Sequence, residues 1–421
     1  MEENFTKRNI TVQAFIKKAF LLSINEKEKE RIVIVALFAY LLSSSLQLSS
    51  YFSFHDDFVS IYLKLLRYIS YICFLYVILI NIKNKKYSVN ILLVYLFIFV
   101  VSVLTLKYSK ARHFLIAILL FMPLYKTDIN KMIKTSFVAH LLAFVMVFAA
   151  TKIGLAENYI EITGSRTRDF LGFVYVSTPA FFFLYIFLLY INVKKEKLNY
   201  LDLLLGVIIN YYLYLKTDTK HPFFVFNCII LLMVLFIFKP SLKNTVFKYI
   251  KCDQMKRIPL ICVLVSLGLC LYNRNTAWNR LNDIVSGRLG LGRDAINYYG
   301  LSLFGQDVDL VGYTISNMNV ENYNWVDSSY IIFMIKFGIV PLLLILVLYE
   351  EMINKSYKKN NIYLLISLIT SLFISVFDFS LFDITVNIFP YLAFCNGFSF
   401  ENSKTIENTR LWLSGLFKKH E

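Results

Sequence analysis

Charge is scarce in this sequence. Only 17% of its 421 residues are Asp, Glu, Lys or Arg, where a soluble globular chain carries about 25%; 57% are hydrophobic, and the mean hydropathy is +0.59. That balance excludes a soluble multidomain enzyme. Cysteine is missing from every stretch that would lie outside a membrane: Cys73, Cys228, Cys262, Cys270 and Cys395 fall in apolar runs, and Cys252 falls in a Lys-rich loop. A disulfide-stapled ectodomain is thereby excluded. Residues 1–31 lack an apolar stretch followed by a small-residue cleavage site. Phe15, Ile16, Ala19 and Phe20 instead recur at helical spacing among lysines, which predicts an interfacial helix and not a signal peptide. Nucleotide and metal signatures are missing as well: there is no Walker motif, no GxGxxG, no metal-spaced His/Cys cluster and no GxSxG elbow.

What the chain has in quantity is apolar and aromatic residues, including 39 Phe and 29 Tyr. They fall in runs long enough to cross a bilayer as helices of roughly 17–25 residues. The predicted spans are 32–50, 66–82, 88–106, 112–126, 133–153, 170–192, 199–215, 222–239, 258–272, 329–349, 361–377 and 383–399. The expectation is therefore an all-α polytopic membrane protein of about 12 transmembrane helices. A segment 1–31 precedes nine spans within 32–272, a large outer loop covers 273–328, three more spans occupy 329–399, and a cytoplasmic amphipathic tail covers 400–421. His140, central in the fifth span, reads as a hydrogen-bonded packing residue in preference to a proton relay.

Basic residues orient the spans, because loops retained in the cytoplasm keep Lys and Arg. With both ends inside, 29 of the 44 basic residues lie on the inner side and 15 on the outer. The net charge of +16 follows largely from that asymmetry, and no signature of nucleic-acid binding accompanies it. The two sides also differ in kind: the inner has 25 Lys and 4 Arg, the outer 7 Lys and 8 Arg. Guanidinium is a planar fork that grips phosphate and carboxylate in bidentate fashion, so the outer face is expected to hold an anionic ligand.

Three outer stretches carry the candidate chemistry. Residues 154–169 end in Arg166-Thr167-Arg168-Asp169, directly above a span. Lys216 to Pro222 places Lys220 and His221 at the mouth of two spans, with Pro222 suited to a helix start. In 273–328, Trp278, Leu281, Ile284 and Val285 predict one short helix and Leu289 to Tyr299 a second, ended by Gly300. Asp327 or Ser328 would then cap the tenth span. Asp56-Asp57 beside His55 is the acidic pair that could hold a divalent metal, although a solvated loop pair is the commoner reading.

The motifs Ser286-Gly287-Arg288-Leu289, Leu303-Phe304-Gly305 and Asp327-Ser328-Ser329-Tyr330, with Gly338 downstream, resemble in order the large-loop motifs of bacterial polysaccharide polymerases of the flippase-dependent pathway. These enzymes are related to the O-antigen ligases, and their fold is glycosyltransferase type C-like. Arg166-Thr167-Arg168-Asp169-Phe170-Leu171-Gly172-Phe173 matches the family's first outer Arg loop. Tyr175-Val176-Ser177 stands where a His-Pro-Asn step is usual, and Thr217-Asp218-Thr219-Lys220 stands where Thr-x-Ser-Arg is usual.

The resemblance implies a metal- and cofactor-independent glycosyltransferase on the outer face of the bacterial cell membrane. It would move a glycan from its undecaprenyl-diphosphate carrier onto another lipid-linked repeat unit, making capsule, exopolysaccharide or O-antigen. Arg166, Arg168, Arg288, Arg293 and Lys220 would neutralise the diphosphate, and Tyr330 would contact substrate. Asp327, His221 and Asp169 are the open choices for the catalytic base. A chain-length regulator and a flippase are the implied partners; a ligase acting on a different acceptor and a lipid-linked oligosaccharide flippase are the competing readings. From the basic split, a cysteine introduced at position 310 is expected to react with a membrane-impermeant thiol reagent added to intact cells, while native Cys252 stays unlabelled. The reverse pattern would invert the topology.

Overall fold

The computed structural model describes residues 25–51, 58–163, 166–272, 275–313 and 323–398. The expectations for the N-terminal segment up to residue 24, for His55-Asp56-Asp57 and for the tail 400–421 lie outside these residues. The described chain is mostly helical: α1 (Glu26–Leu46), α2 (Phe58–Lys83), α3 (Val89–Ser109), α4 (His113–Leu124), α5 (Ile129–Lys152), α6 (Thr178–Lys194), α7 (Tyr200–Thr217), α8 (Lys220–Phe238), α9 (Ser241–Tyr249), α10 (Cys252–Lys256), α11 (Ile258–Leu271), α12 (Thr276–Ile284), α13 (Arg288–Tyr299), α14 (Ser329–Ile332), α15 (Ile339–Lys358) and α16 (Ile362–Ile374).

Local chemistry sets many of the boundaries. Asn25 and Glu28 form a capping box on α1, as do Asn199 and Asp202 on α7. Ser88, Asp128 and Asn361 cap α3, α5 and α16 with their side chains, and prolines stand in the first turns of α6 and α11. Five stretches are long and apolar enough to cross a membrane: Val59–Lys83, Val89–Ser109, Ile129–Lys152, Lys220–Phe238 and Cys252–Leu271. The outward faces fit that reading, since Leu201, Leu204, Leu205, Ile208 and Leu215 of α7 are all exposed. By contrast α6 is apolar all round and buried on every side from Pro179 to Leu189, which makes it the centre of the bundle.

The loops sort into two ends. At one end Glu26 pairs with Lys86, Glu30 with Lys131, and Lys195 reaches Asn130 at 2.6 Å. The Lys126 amide there donates to the Phe394 carbonyl at 3.1 Å. At the other end Ser50 donates to Glu157, Ser45 to Thr385, Arg168 to Thr217, and Ser329 to Asp378. The segments expected on one side of a membrane thus meet one another.

Three expectations are corrected. Residues 154–169 are not simply a loop: Ile160–Thr163 (β1) pairs antiparallel with Arg166–Asp169 (β2). The tenth span is broken, because α14 runs into a π-turn at Phe333–Phe337 and α15 starts afresh after Gly338. At φ +110° a Cβ on Gly338 would lie 2.5 Å from the Leu303 carbonyl oxygen. The reason is the interlocked segment 302–306: Ser302 and Gln306 amides donate to Met334 and Lys336, and Ile339 and Val340 amides donate to Ser302 and Leu303. Lys336, within the broken span, donates to the Val308 carbonyl at 3.0 Å.

Lastly, the stretch expected as a twelfth span contains only the 3-10 helix Phe389–Phe394, with turns around it. It is buried almost throughout. Its polar groups are met from the side: Asn387 donates to Tyr349, Ser371 and the Ser380 carbonyl at 2.8 Å each. At its far end the Lys355 ammonium caps the carbonyls of Ala393, Cys395 and Gly397.

Gly338→Ala should therefore cost at least about 3 kcal/mol, from left-handed strain and the clash with Leu303. Gly268→Ala, in α11 with nothing within 4 Å of the new methyl, should be neutral or mildly stabilising. Unfolding midpoints of the two purified variants in detergent measure the difference.

Candidate functional site

At the end where β1, α12 and α13 lie, four segments distant in sequence converge. Ser286 and Gly287, both with positive φ (59° and 83°), turn the chain so that α13 begins at Arg288. Arg288 Nε meets Asp327 Oδ2 at 2.7 Å, and both side chains are largely buried. The Ser329 hydroxyl then ties in a segment that sequence reasoning passed over, donating to the Asp378 carbonyl at 2.6 Å and accepting from the Ser380 and Leu381 amides at 3.1 Å each. Asp378 is thereby held within electrostatic reach of both Asp327 and Arg288.

Burial and charge act against each other here. Burial alone would lower the Arg288 guanidinium, but Asp327 and Asp378 raise it, so it stays a cation. Burial lifts the Asp327 carboxyl above the usual range against the pull of Arg288. Burial lifts Asp378 furthest, to about 7, with Asp327 adding to the rise and Ser380 and Arg288 opposing it. One guanidinium thus stands between two carboxyls, only one of which it holds by a direct ion pair. Tyr175 lies within electrostatic reach of Asp327, Arg288, Arg168 and Glu161. Tyr323 lies within electrostatic reach of Asp327, Tyr175 and Arg288.

His221 borders it. Its ring is set among Phe181, Phe373 and Phe377, with centroids 6.0, 6.4 and 5.4 Å away. Both ring nitrogens are buried and have no hydrogen-bond partner among the described residues. Such an imidazole is costly unless a ligand or water completes it.

The other sequence candidates are placed differently. Arg166 Nε binds Asp218 Oδ2 at 2.6 Å, and Arg168 Nε binds the Thr217 carbonyl at 2.9 Å with Nη1 3.3 Å from Glu161. The two guanidiniums clamp the hairpin onto the carbonyl end of α7, where a cation is favoured by the helix dipole. Arg168 still touches the cluster through Tyr175, whereas Arg166 faces Asp218. Asp169 accepts the Leu171 amide at 2.9 Å and serves the turn after β2. Arg293 points back to the Tyr272 carbonyl at 3.0 Å, and Lys220 is exposed on the first turn of α8. Tyr330 is completely buried and donates to the Leu372 carbonyl at 2.9 Å, so it has no surface to offer a substrate. Asp378 and Tyr175 were missed. The signal for Asp378 was available in Phe377-Asp378-Phe379-Ser380-Leu381-Phe382-Asp383, where two acids interrupt an apolar run.

Fold and cluster together define a helical chain that fits a membrane protein, with a buried ion-paired group at one end of its bundle. The chain matches no family model, and no curated protein or solved structure matches it significantly.

The Asp378 carboxyl binds its proton more tightly folded than unfolded. Its contribution to stability is complete below the ordinary carboxylate range near 4 and is lost as pH rises through about 7. The wild-type unfolding midpoint should therefore fall between pH 5.5 and pH 8 by more than that of Asp378→Asn. Equal falls would place Asp378 in ordinary solvent contact.

Proposed function

We propose that the chain is a glycan transferase of the cell-membrane outer face that lengthens a surface polysaccharide. It takes undecaprenyl-diphosphate-linked repeat units as donor and acceptor. The observation that carries this reading is the convergence of Arg288, Asp327 and Asp378 on one end of the bundle, the first two carried by segments whose motifs resemble the polymerase family. In the reaction the bond from the donor sugar's anomeric carbon to the diphosphate oxygen breaks. A bond from that carbon to an acceptor hydroxyl oxygen forms, the hydroxyl proton passes to a base, and the diphosphate leaves with both electrons.

Each requirement has a group here. Arg288 supplies a permanent cation for the leaving diphosphate, exchanging Asp327 for phosphate oxygens as the charge develops. Asp378, with its carboxyl near neutrality, suits taking the acceptor proton. This favours Asp378 over Asp169 as base, while His221 borders the same cluster within electrostatic reach of Arg288. Arg168 adds charge at the rim, and Arg166 holds the hairpin in place.

In this reading the chain would pass between the two ends as α1 to α8, α10 with α11, α14 with α15, and α16, with the buried irregular stretch after Asp378 in place of a twelfth helix. The Lys-rich end that carries Glu30 and Lys355 is assigned to the cytoplasm by the 25 inner lysines.

The glycan profile of a deletion strain tests the function. Lipid-linked single repeats are expected; long unattached chains would mean a ligase, and repeats retained inside would mean a flippase. In complementation, Arg288→Lys should lower polymer at least about tenfold although charge is kept, because Lys lacks the bidentate fork. Lys251→Arg at the opposite end should be silent. Near-normal polymer from Arg288→Lys would make Arg288 a packing residue.

A further inference from the structure

The opposite end of the bundle, remote from the transfer cluster, holds a cavity of about 280 Å³ that the proposed reaction does not use. This is far above the roughly 10–15 Å³ needed for one water. It lies between the start of α5, the turn after α6, and the loop joining α15 to α16. Lys195, Lys355 and Lys359 line it, together with the amides Asn130, Asn360, Asn361 and Asn396.

Its charge is one-sided. Glu196 is the carboxylate in the lining, and it pairs with Lys243. Lys355 is spent on three backbone carbonyls and on Glu351 at 3.4 Å. Among the described residues Lys195 and Lys359 are not spent: Lys195 has one acceptor, Asn130 Oδ1 at 2.6 Å, and Lys359 has, with the Asn396 amide oriented to satisfy both its ends, the Asn396 oxygen at 2.8 Å. An ammonium carries three donors. Two long helices also begin at this cavity. Ile129 and Asn130 open the 24-residue α5, whose own start is already capped by the Asp128 carboxylate, and Asn361 caps the 13-residue α16, so the positive end of the α16 dipole borders the cavity. Neither helix start would define a site alone; the cavity volume and the two lysines, each with a single acceptor among the described residues, are independent of them.

We propose that this cavity binds a phosphate-bearing anion. Point-charge ammonium groups, amide donors and a helix start are together the chemistry that holds phosphate oxygens. Lys359, Asn360 and Glu196 are exposed at the mouth, so the group can enter from the aqueous and headgroup side. An anionic lipid headgroup and a soluble phosphate present the same chemistry there.

The full chain, purified in a non-ionic detergent, is titrated separately with phosphatidylglycerol and with inorganic pyrophosphate. Native mass spectrometry and the shift in unfolding midpoint serve as readouts. Binding of phosphatidylglycerol alone identifies a headgroup site, and binding of pyrophosphate identifies a site open to soluble phosphates. Lys195→Gln/Lys359→Gln should bind the active probe at least about tenfold more weakly. Lys248→Gln/Lys251→Gln, which removes the same charge from the same end, should bind as the wild type does. Asn130→Asp leaves the lysines in place and adds a carboxylate to the cavity in place of the amide that donates to Asp128 at 3.3 Å; it should lose binding while the variant still unfolds cooperatively. The proposal is overturned if neither probe binds, or if Lys195→Gln/Lys359→Gln and Asn130→Asp both bind as tightly as wild type.

Discussion

A backbone amide at membrane depth has no water to turn to, so an unpaired one costs several kcal/mol. Helices meet that demand within themselves, but the chain after Ile374 does not. From Ser375 to Phe398 it runs through the middle of the bundle with only one short 3-10 helix, and its groups are met by neighbours. Tyr185, Tyr349, Ser371 and Asn387 supply buried hydroxyl and amide groups around Ser380 and Leu381. Lys355 supplies an ammonium to the carbonyls of Ala393, Cys395 and Gly397. Because this backbone must be enclosed, α6 and α16 must be buried on nearly every side. Because it must begin at the cluster end, Asp378 is carried to Arg288.

The same demand accounts for the broken tenth span. A π-turn at Phe333–Phe337 leaves amides and carbonyls outside the α-helical ladder, and segment 302–306 comes down to pair with them. Leu303, Phe304, Gly305 and Gly338 form one interlocked contact, in which the two glycines admit carbonyl oxygens where any Cβ would clash. Motif residues that read as parts of a substrate loop therefore have a structural role first: they fix the height at which α13 and Arg288 stand over the bundle.

Much of the cluster was legible residue by residue and little of it as an arrangement. Arg288 and Asp327 stood out as charges in an apolar chain, and the structure pairs them directly at 2.7 Å. Arg166 and Arg168 stood out equally, yet they are occupied by Asp218, Thr217 and Glu161 because β1 and β2 fold into a hairpin on the end of α7. Alternation over four residues is too short a pattern to announce such a hairpin. Tyr330 fitted the motif but faces inward, since the one-turn helix that starts at Ser329 turns its ring toward Leu372.

The sequence by itself determined the class of chain, its long apolar helices, the helix end marked by Gly300, and the segregation of lysine from arginine. These follow from composition, periodicity and capping, all of which act within a few residues. Tertiary structure decided what becomes of segments too irregular to pair their own backbone, and which charges meet. The path of residues 375–398, the descent of 302–306 onto Gly338 and the approach of Asp378 to Arg288 are set by partners tens to hundreds of residues away. No local pattern encodes them, because their hydrogen bonds exist only once the bundle has closed.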